Sequence, residues 1–410
     1  MTIQDSKLIQ IGLHSVPGIW RRLLPEDFFY LKFPDESNAT CGNCPQIKAR
    51  GFTPPHKCCT YFPLVPNFMM GMALRDTASR ERVAALGEGG FATLEGSHIS
   101  PSAYRLSLEE NARGLFGKTS KVKCSFMNKA DGMCTIYPYR NSVCSTFFCD
   151  NLHGIRGALF WEKVQGFVGQ IETALSQWCM ESLGVNLEDY FQVYKDWSQD
   201  IDAMYDEATG AWSQGFLKEL HGEWYGRESD FLLACGDLVS SYEGDLYQVA
   251  ALRKIHDNWH YDVAFQEWLS DEAREEFDEV PDQPGDAIPV ADLWYELKLN
   301  HRQLWDIPFN EGPFVLDPSL KIRVNTREDA LGMHFEKRPH KIVSNIPGGV
   351  EGAHLLVTET EAEALMLFTE PVVLGSELLE EPSFKKLADG RAFLSYLLRK
   401  GWIKPAQQRG

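Results

Sequence analysis

The apolar positions of this chain change period several times, and the elements follow from those changes. Phe160, Val164, Phe167, Ile171, Leu175 and Trp178 recur at spacings of three and four, which predicts a long amphipathic helix. Cys179 lies beside that stripe and reads as a core residue. Residues 67–86 show the same period and run into Gly87-Glu-Gly-Gly90. A glycine loop that cradles phosphate follows a strand, whereas RERVAAL reads as helix, so the glycines are expected to form a C-cap and loop. Residues 184–268 continue as aromatic-rich helices through Tyr190, Phe191, Tyr194, Trp197, Trp212, Phe216 and Trp224. Cys235, inside the apolar run FLLACG, again reads as buried.

Elsewhere the helical period is missing. Residues 1–40 are interrupted by Pro17, Pro25 and Pro34, which predicts short elements. Residues 91–123 predict short strands and turns, and after the Asp131-Gly132 turn signal residues 132–137 alternate as a strand. Residues 270–292 are acidic, contain Pro281, Pro284 and Pro289, and read as a connection between domains. Residues 313–357 alternate as strands: LKIRV, MHFEK, HKIVSN and HLLVT. Thr358-Glu-Thr-Glu361 then supplies a capping box, followed by a helix through ALMLF, a short helix at 376–381 and another from Phe384 to Lys400 that stops at Gly401.

These patterns predict an α+β chain, mainly helical. Residues 1–155 form an irregular cysteine-rich metal domain, and residues 156–270 a helical domain packed on it. Residues 271–312 are an acidic connection, and residues 313–410 a small winged-helix-like domain.

Composition narrows the function. With 410 residues the chain buries cores without disulfide staples. Its formal charge of -18 argues against broad binding to nucleic acid, which needs Lys and Arg against phosphate. The longest apolar run, Phe62 to Leu74, is too short to span a bilayer and contains Pro63 and Pro66. The first residues lack a basic segment followed by an apolar one, so a cytoplasmic protein is expected. In a reducing compartment, clustered cysteines bind metal or do redox chemistry more often than they form disulfides.

Eight of the ten cysteines fall in two blocks. The first holds Cys41-Gly-Asn-Cys44 and the pair Cys58-Cys59; the second holds Cys124, Cys134, Cys144 and Cys149. Thiolates are the ligands that soft metals and iron–sulfur clusters need, and four fill one site. Standard zinc-finger spacings do not fit. Arg140 is placed either to stabilise an anionic thiolate cluster or to pair with a surface acid. Tyr137 and Tyr139 are expected to pack as a lid. His56 and His153 flank the blocks as substitute ligands, and His256 and His260 are read as one exposed helical face that also has zinc-ligand spacing.

The run C-x9-C-T-I-Y-x2-R-x3-C-x4-C resembles the YkgJ-type cysteine-cluster family, described as a zinc- or iron-chelating domain with eight cysteines. The residues that carry it are Gly132, Cys134, Ile136, Tyr137, Arg140, Cys144 and Cys149, within roughly residues 38–155. The first block departs from the family, which often compresses it to C-x2-C-x2-C-C. The flagellin lysine N-methylases have a similar cysteine cluster, so the resemblance extends by fold-level analogy to enzymes that modify protein side chains. Residues 318–404 resemble by pattern the PqqD-type winged-helix modules that grip leader peptides; a domain that only packs or dimerises is the plainer reading.

Together these readings lead to an expected iron–sulfur protein of [4Fe-4S] type, acting in redox chemistry or in modification of peptide or protein side chains. The expected ligands are Cys41, Cys44, Cys58, Cys59, Cys124, Cys134, Cys144 and Cys149, with Arg140 beside the cluster. A zinc-bound scaffold without catalysis is the alternative, and whether the chain is an enzyme stays open. A peptide or protein partner is expected at the C-terminal domain, and neither membrane nor nucleic acid.

Overall fold

The computed structural model describes residues 7–36, 44, 47, 51–53, 57–60, 62–98, 100–119, 121–128, 131–148, 153–275, 288–305, 312–318, 320–324, 340–344, 355–387, 389–399 and 401–406. They are mainly helical, with a few small sheets. Contacts divide the chain into two compact units. One holds Met1–Phe33, Asn38–Cys149 and Lys163–Glu296; the other holds Pro34–Ser37, Asp150–Glu162 and Leu297–Gly410.

The first unit opens with an antiparallel hairpin, β1 (Leu8–Ile11) and β2 (His14–Pro17), followed by the short helix α1 (Trp20–Leu23). The helical stretch that begins at residue 67 is two helices, α2 (Asn67–Arg75) and α3 (Arg80–Glu88). They break at Asp76, whose carboxylate is held by Lys7 at 2.8 Å and by the Ala78 N–H at 3.2 Å. Because α3 leads into Gly89 and Gly90 (φ 73), the glycine run is a helix end, as its sequence predicts. A two-residue hairpin, β3 (Ala92–Thr93) and β4 (Gly96–Ser97), comes next.

Residues 101–112, expected as strands and turns, are instead helix α4 (Pro101–Ala112). Pro101 occupies its first turn, where the missing N–H costs nothing and the fixed φ favours the start. A second departure follows. Residues 132–137 do not form a strand: Met127 and Cys134 make one isolated bridge and Tyr137–Tyr139 is a 3-10 turn. Helix α5 (Ser142–Thr146) closes this region.

The predicted long helix is α6 (Gly154–Ser182), with Phe160, Val164, Phe167, Ile171, Leu175 and Cys179 fully buried. Burial of side chains this large contributes roughly 1.5–3 kcal/mol each. Helix α7 (Leu187–Trp197) is capped by Asn186, whose side-chain oxygen accepts the N–H groups of Glu188 at 3.0 Å and Asp189 at 3.4 Å. Helices α8 (Gln214–His221), α9 (Glu228–Ser241), α10 (Leu246–Ala251) and α11 (Trp259–Trp268) complete the aromatic-rich region. Tyr194, Trp212, Phe216 and Phe265 are its buried centre, and Cys235 is buried in α9 as read. Asn67, wholly buried, ties three segments: its amide donates to the carbonyls of Leu94 (2.8 Å) and Ser176 (3.0 Å), and its oxygen accepts the Phe68 N–H (2.7 Å).

The short helix α12 (Asp271–Arg274) and the four-turn helix α13 (Val290–Trp305) follow, with residues 276–287 of the acidic stretch outside the described set.

In the second unit, β5 (Pro313–Leu316) heads a region with two three-stranded antiparallel sheets. One sheet pairs β6 (Leu320–Val324), β7 (His340–Ser344) and β8 (Leu355–Val357), so three of the four predicted strands are present; MHFEK lies outside the described residues. The capping box at Thr358 and Glu361 opens α14 (Glu359–Met366) with both reciprocal hydrogen bonds, at 3.2 and 2.7 Å. Then come β9 (Val372–Val373), α15 (Ser376–Glu380), α16 (Pro382–Lys385), α17 (Gly390–Arg399) and β10 (Ile403–Pro405). The other sheet orders β10-β5-β9. Phe314, Leu365, Phe368, Phe384, Leu394 and Leu397 form the centre of this unit's core.

Candidate metal centre

Six of the eight predicted cysteine ligands lie among the described residues; Cys41 and Cys149 do not, and neither does His56. All described cysteines are free thiols. Five of them come from four turns: Cys58 and Cys59 share one, Cys59 bears on the Cys58 thiol, Cys134 and Cys144 bear on Cys124, and Cys58 and Cys134 bear on Cys144.

The turns are set by backbone contacts. Thr53 N–H donates to Gly117 O and Lys57 N–H to Thr53 O, both at 2.9 Å, which folds the chain back just before Cys58. Lys57 adopts φ 54, and it is the one non-glycine residue in the left-handed region among those described. Such a residue costs on the order of 1 kcal/mol and persists where its surroundings hold it. Its ammonium donates to Gly132 O at 3.3 Å, across to the second cysteine block. The Cys124 N–H donates to Cys59 O at 2.7 Å, which locks the two blocks in register. Cys134 is delivered by the loop closed through Asn128 N–H to Met133 O (2.8 Å) and Thr135 N–H to Phe126 O (2.8 Å). Cys144 is delivered by α5, where the Asn141 side chain accepts the Cys144 N–H at 3.1 Å.

Burial dominates the electrostatics. It pushes the Cys124 thiol up to about 12, the thiols of Cys144 and Cys134 push the same way, and the Arg82 charge offsets them in part. Cys144 is also pushed to about 12 by burial, with further contributions from Cys134, Cys58 and Glu172 against the Arg140 charge. Cys58 is raised chiefly by its hydrogen bond with Cys59, then by burial. Lys57, Arg82 and Glu172 belong to this electrostatic environment and were not singled out by sequence; Lys57 directly precedes Cys58, whereas Arg82 and Glu172 come from helices remote along the chain.

Arg140 takes neither of its two expected roles alone. Its guanidinium donates to the carbonyls of Tyr137 (2.9 Å), Ser15 (3.1 Å) and Cys144 (3.5 Å), stacks on the Tyr137 ring at 3.6 Å, and contributes positive charge beside Cys144. Tyr137 is thus a platform for Arg140, and Tyr139 donates to Asp76 at 3.2 Å. Glu172 is buried beneath α5 and accepts the Ser142 N–H at 3.0 Å; burial pushes its carboxyl up to about 8.

Cys44 is described by a turn in which its carbonyl accepts the Ile47 N–H at 3.3 Å. The His153 N–H donates to Glu36 Oε2 at 3.2 Å, and its ring meets Trp305 edge-on, 5.8 Å between centroids. His256 and His260 do not share a helical face, because α11 begins at Trp259. His256 lies in the preceding loop, stacked on Phe191 with its backbone held by Gln177.

Among the described residues, no three Cys, His, Asp or Glu side chains are arranged as the shell of one ion. The donor chemistry nonetheless fits a soft metal. Burial and neighbouring thiols hold the protons on Cys58, Cys124 and Cys144, and a thiophilic cation reverses that balance by replacing protons with metal–sulfur bonds. Also among the described residues, no helix is long and apolar enough to cross a membrane. No family model, curated protein or solved structure matches the chain.

Proposed function

We propose that the chain binds a metal–thiolate centre, an iron–sulfur cluster of [4Fe-4S] type, and works in redox chemistry or in modification of peptide or protein side chains. The observation that carries this is the 2.7 Å hydrogen bond from Cys124 N–H to Cys59 O, which joins the turn of Cys58 and Cys59 to that of Cys124, with Cys134 and Cys144 bearing on the Cys124 thiol. Cys179 and Cys235 also meet, but in the helical core and wholly buried, the Cys179 thiol 3.9 Å from the Cys235 carbonyl oxygen, and this reading leaves them out. Cys41, Cys44 and Cys149 complete the donor set in this reading.

Membership of the YkgJ-type cysteine-cluster family is part of the proposal, supported by the distal motif from Gly132 to Cys149. A bound cluster would supply one-electron transfer or a Lewis-acidic iron. The chain's own residues set its surroundings. Lys57, Arg82 and Arg140 lower the proton affinity of the thiols they adjoin. Phe126 and Ile136, both buried, keep water from the turns that bear them. A cytoplasmic location accords with the same thiol chemistry. Residues 313–410 are proposed as a winged-helix-like module that holds the peptide or protein partner.

The test is iron, zinc and acid-labile sulfide analysis of protein purified without oxygen. Iron with equal sulfide supports the cluster. Zinc without sulfide replaces it with a structural scaffold, the alternative that the Cys59–Cys124 backbone lock also suits.

A further inference from the structure

Helix α3 begins at a corner that touches the second cysteine block at three points. Ser79, buried, stands at its N-cap, where a serine hydroxyl ordinarily accepts an N–H of the first turn. Ser79 makes no such bond. Its hydroxyl donates instead to the Thr135 carbonyl at 2.8 Å, and Thr135 directly follows Cys134. Within the same first turn, Arg82 Nε donates to the carbonyl of Ser125, which directly follows Cys124. At the start of the corner Asp76 accepts the Tyr139 hydroxyl at 3.2 Å.

The two held carbonyls belong to one closed loop. Thr135 donates to Phe126 O from both its N–H and its hydroxyl, each at 2.8 Å, and Met127 bridges to Cys134. With Ser125 and Thr135 pinned to a single helical turn, Cys124 and Cys134 are confined with them, since each is one planar peptide away. The corner is itself anchored. Helix α2, which leads into it, buries Phe68, Met69 and Met70 and sets Gly71 against the Leu232 backbone of α9. Thiols held from outside in this way keep their spacing before any ligand arrives, which is how outer contacts strengthen a thiolate site.

We propose that Ser79 and Arg82 are positioning residues that hold Cys124 and Cys134 as a preformed pair, within reach of one thiophilic atom. That the pair serves a metal rests on the metal–thiolate reading above; that the α3 corner sets its spacing does not.

Phenylarsine oxide tests the spacing on the reduced full chain stripped of metal by chelator. Its trivalent arsenic exchanges oxygen for two sulfurs: two As–S bonds form, two S–H bonds break, and water leaves with no change of oxidation state. Trypsin cuts at Lys129, between Cys124 and Cys134, so a bridged pair shows in mass spectra as two joined peptides. Cobalt(II) titration of the same samples reads thiolate-to-metal absorption. Ser79→Ala and Arg82→Met each lose a donor, and Ser79→Thr keeps the hydroxyl. Asn186→Ala, which removes the cap of α7, controls for lost stability alone.

The expected result is a Cys124–Cys134 bridge in the parent, in Ser79→Thr and in Asn186→Ala. Bridging and cobalt affinity each fall about tenfold in Ser79→Ala and Arg82→Met. Undiminished bridging in these two variants when folded, no such bridge in the parent, or an equal loss in Asn186→Ala overturns the positioning role. A bridge that depends on Ser79, in a parent that binds neither cobalt nor iron, keeps that role and shows that the metal reading is the one that failed.

Discussion

Arg140 reaches the Cys144 carbonyl at 3.5 Å, and its charge opposes the burial that holds that thiol protonated. Replacing Arg140 with Gln removes the charge and the three-carbonyl fork. The expected outcome is a higher pH midpoint for zinc uptake by metal-free protein, since Cys144 gives up its proton less readily. Titration of uptake against pH checks it. An unchanged midpoint would leave Arg140 a strut and nothing more.

Gly71 and Gly236 let α2 and α9 meet backbone to backbone. A Cβ on Gly71 would lie 1.8 Å from Leu232 O, and one on Gly236 would lie 2.8 Å from the Gly71 carbonyl carbon. Both distances are inside van der Waals contact with rigid backbone, so the helices must separate. Gly236→Ala is expected to cost about 1–3 kcal/mol and Gly71→Ala more. Thermal unfolding of the two variants gives the order.

Asn67 is satisfied on every side although wholly buried. Asn67→Leu takes their side-chain partner from the Leu94 carbonyl and the Phe68 N–H, at about 1–3 kcal/mol for each buried group left unpaired, while the Ser176 carbonyl, interior to α6, keeps its helical bond. Denaturant unfolding should show a clear loss of stability, and metal content in the folded fraction should stay as in the parent.

Glu172 imposes a pH dependence of known sign. Its carboxyl titrates near 8 in the folded chain against an ordinary value of 4.5, because it is buried. The folded state therefore holds a proton that the unfolded state releases, and stability contributed below pH 4.5 is lost as pH rises toward 8. Glu172→Gln removes this slope. At about 1.4 kcal/mol per unit, the variant should exceed the parent by a few kcal/mol at pH 8 and match it at pH 4. Equal stability at both pH values would contradict the buried, protonated carboxyl.

The sequence made some of this legible because the signals were local. The three-and-four spacing from Phe160 to Trp178 marks α6, and the Thr358–Glu361 pair marks the start of α14. Cys179 and Cys235 read as core since each lies in an apolar run. Helix α4 was hidden because Pro101 and mixed Ser and Glu positions resemble a loop, although proline at a first turn starts a helix. The region 132–137 alternates without a partner strand of matching length, so one bridge forms instead of a ladder. Of the residues about the thiols, the sequence marked the cysteines and Arg140. Arg82 and Glu172 meet those thiols through long-range folding.

The central claim is that the gathered thiols hold metal. Cys124→Ser and Cys144→Ser each remove one thiol that burial holds protonated while keeping side-chain volume nearly constant. Iron, zinc and acid-labile sulfide, measured on anaerobically purified parent and on both variants, test it most directly. The account predicts iron with equal sulfide in the parent and a marked loss of both in each variant. Parent protein with neither iron, zinc nor sulfide, before or after anaerobic supply of iron and sulfide, would contradict it.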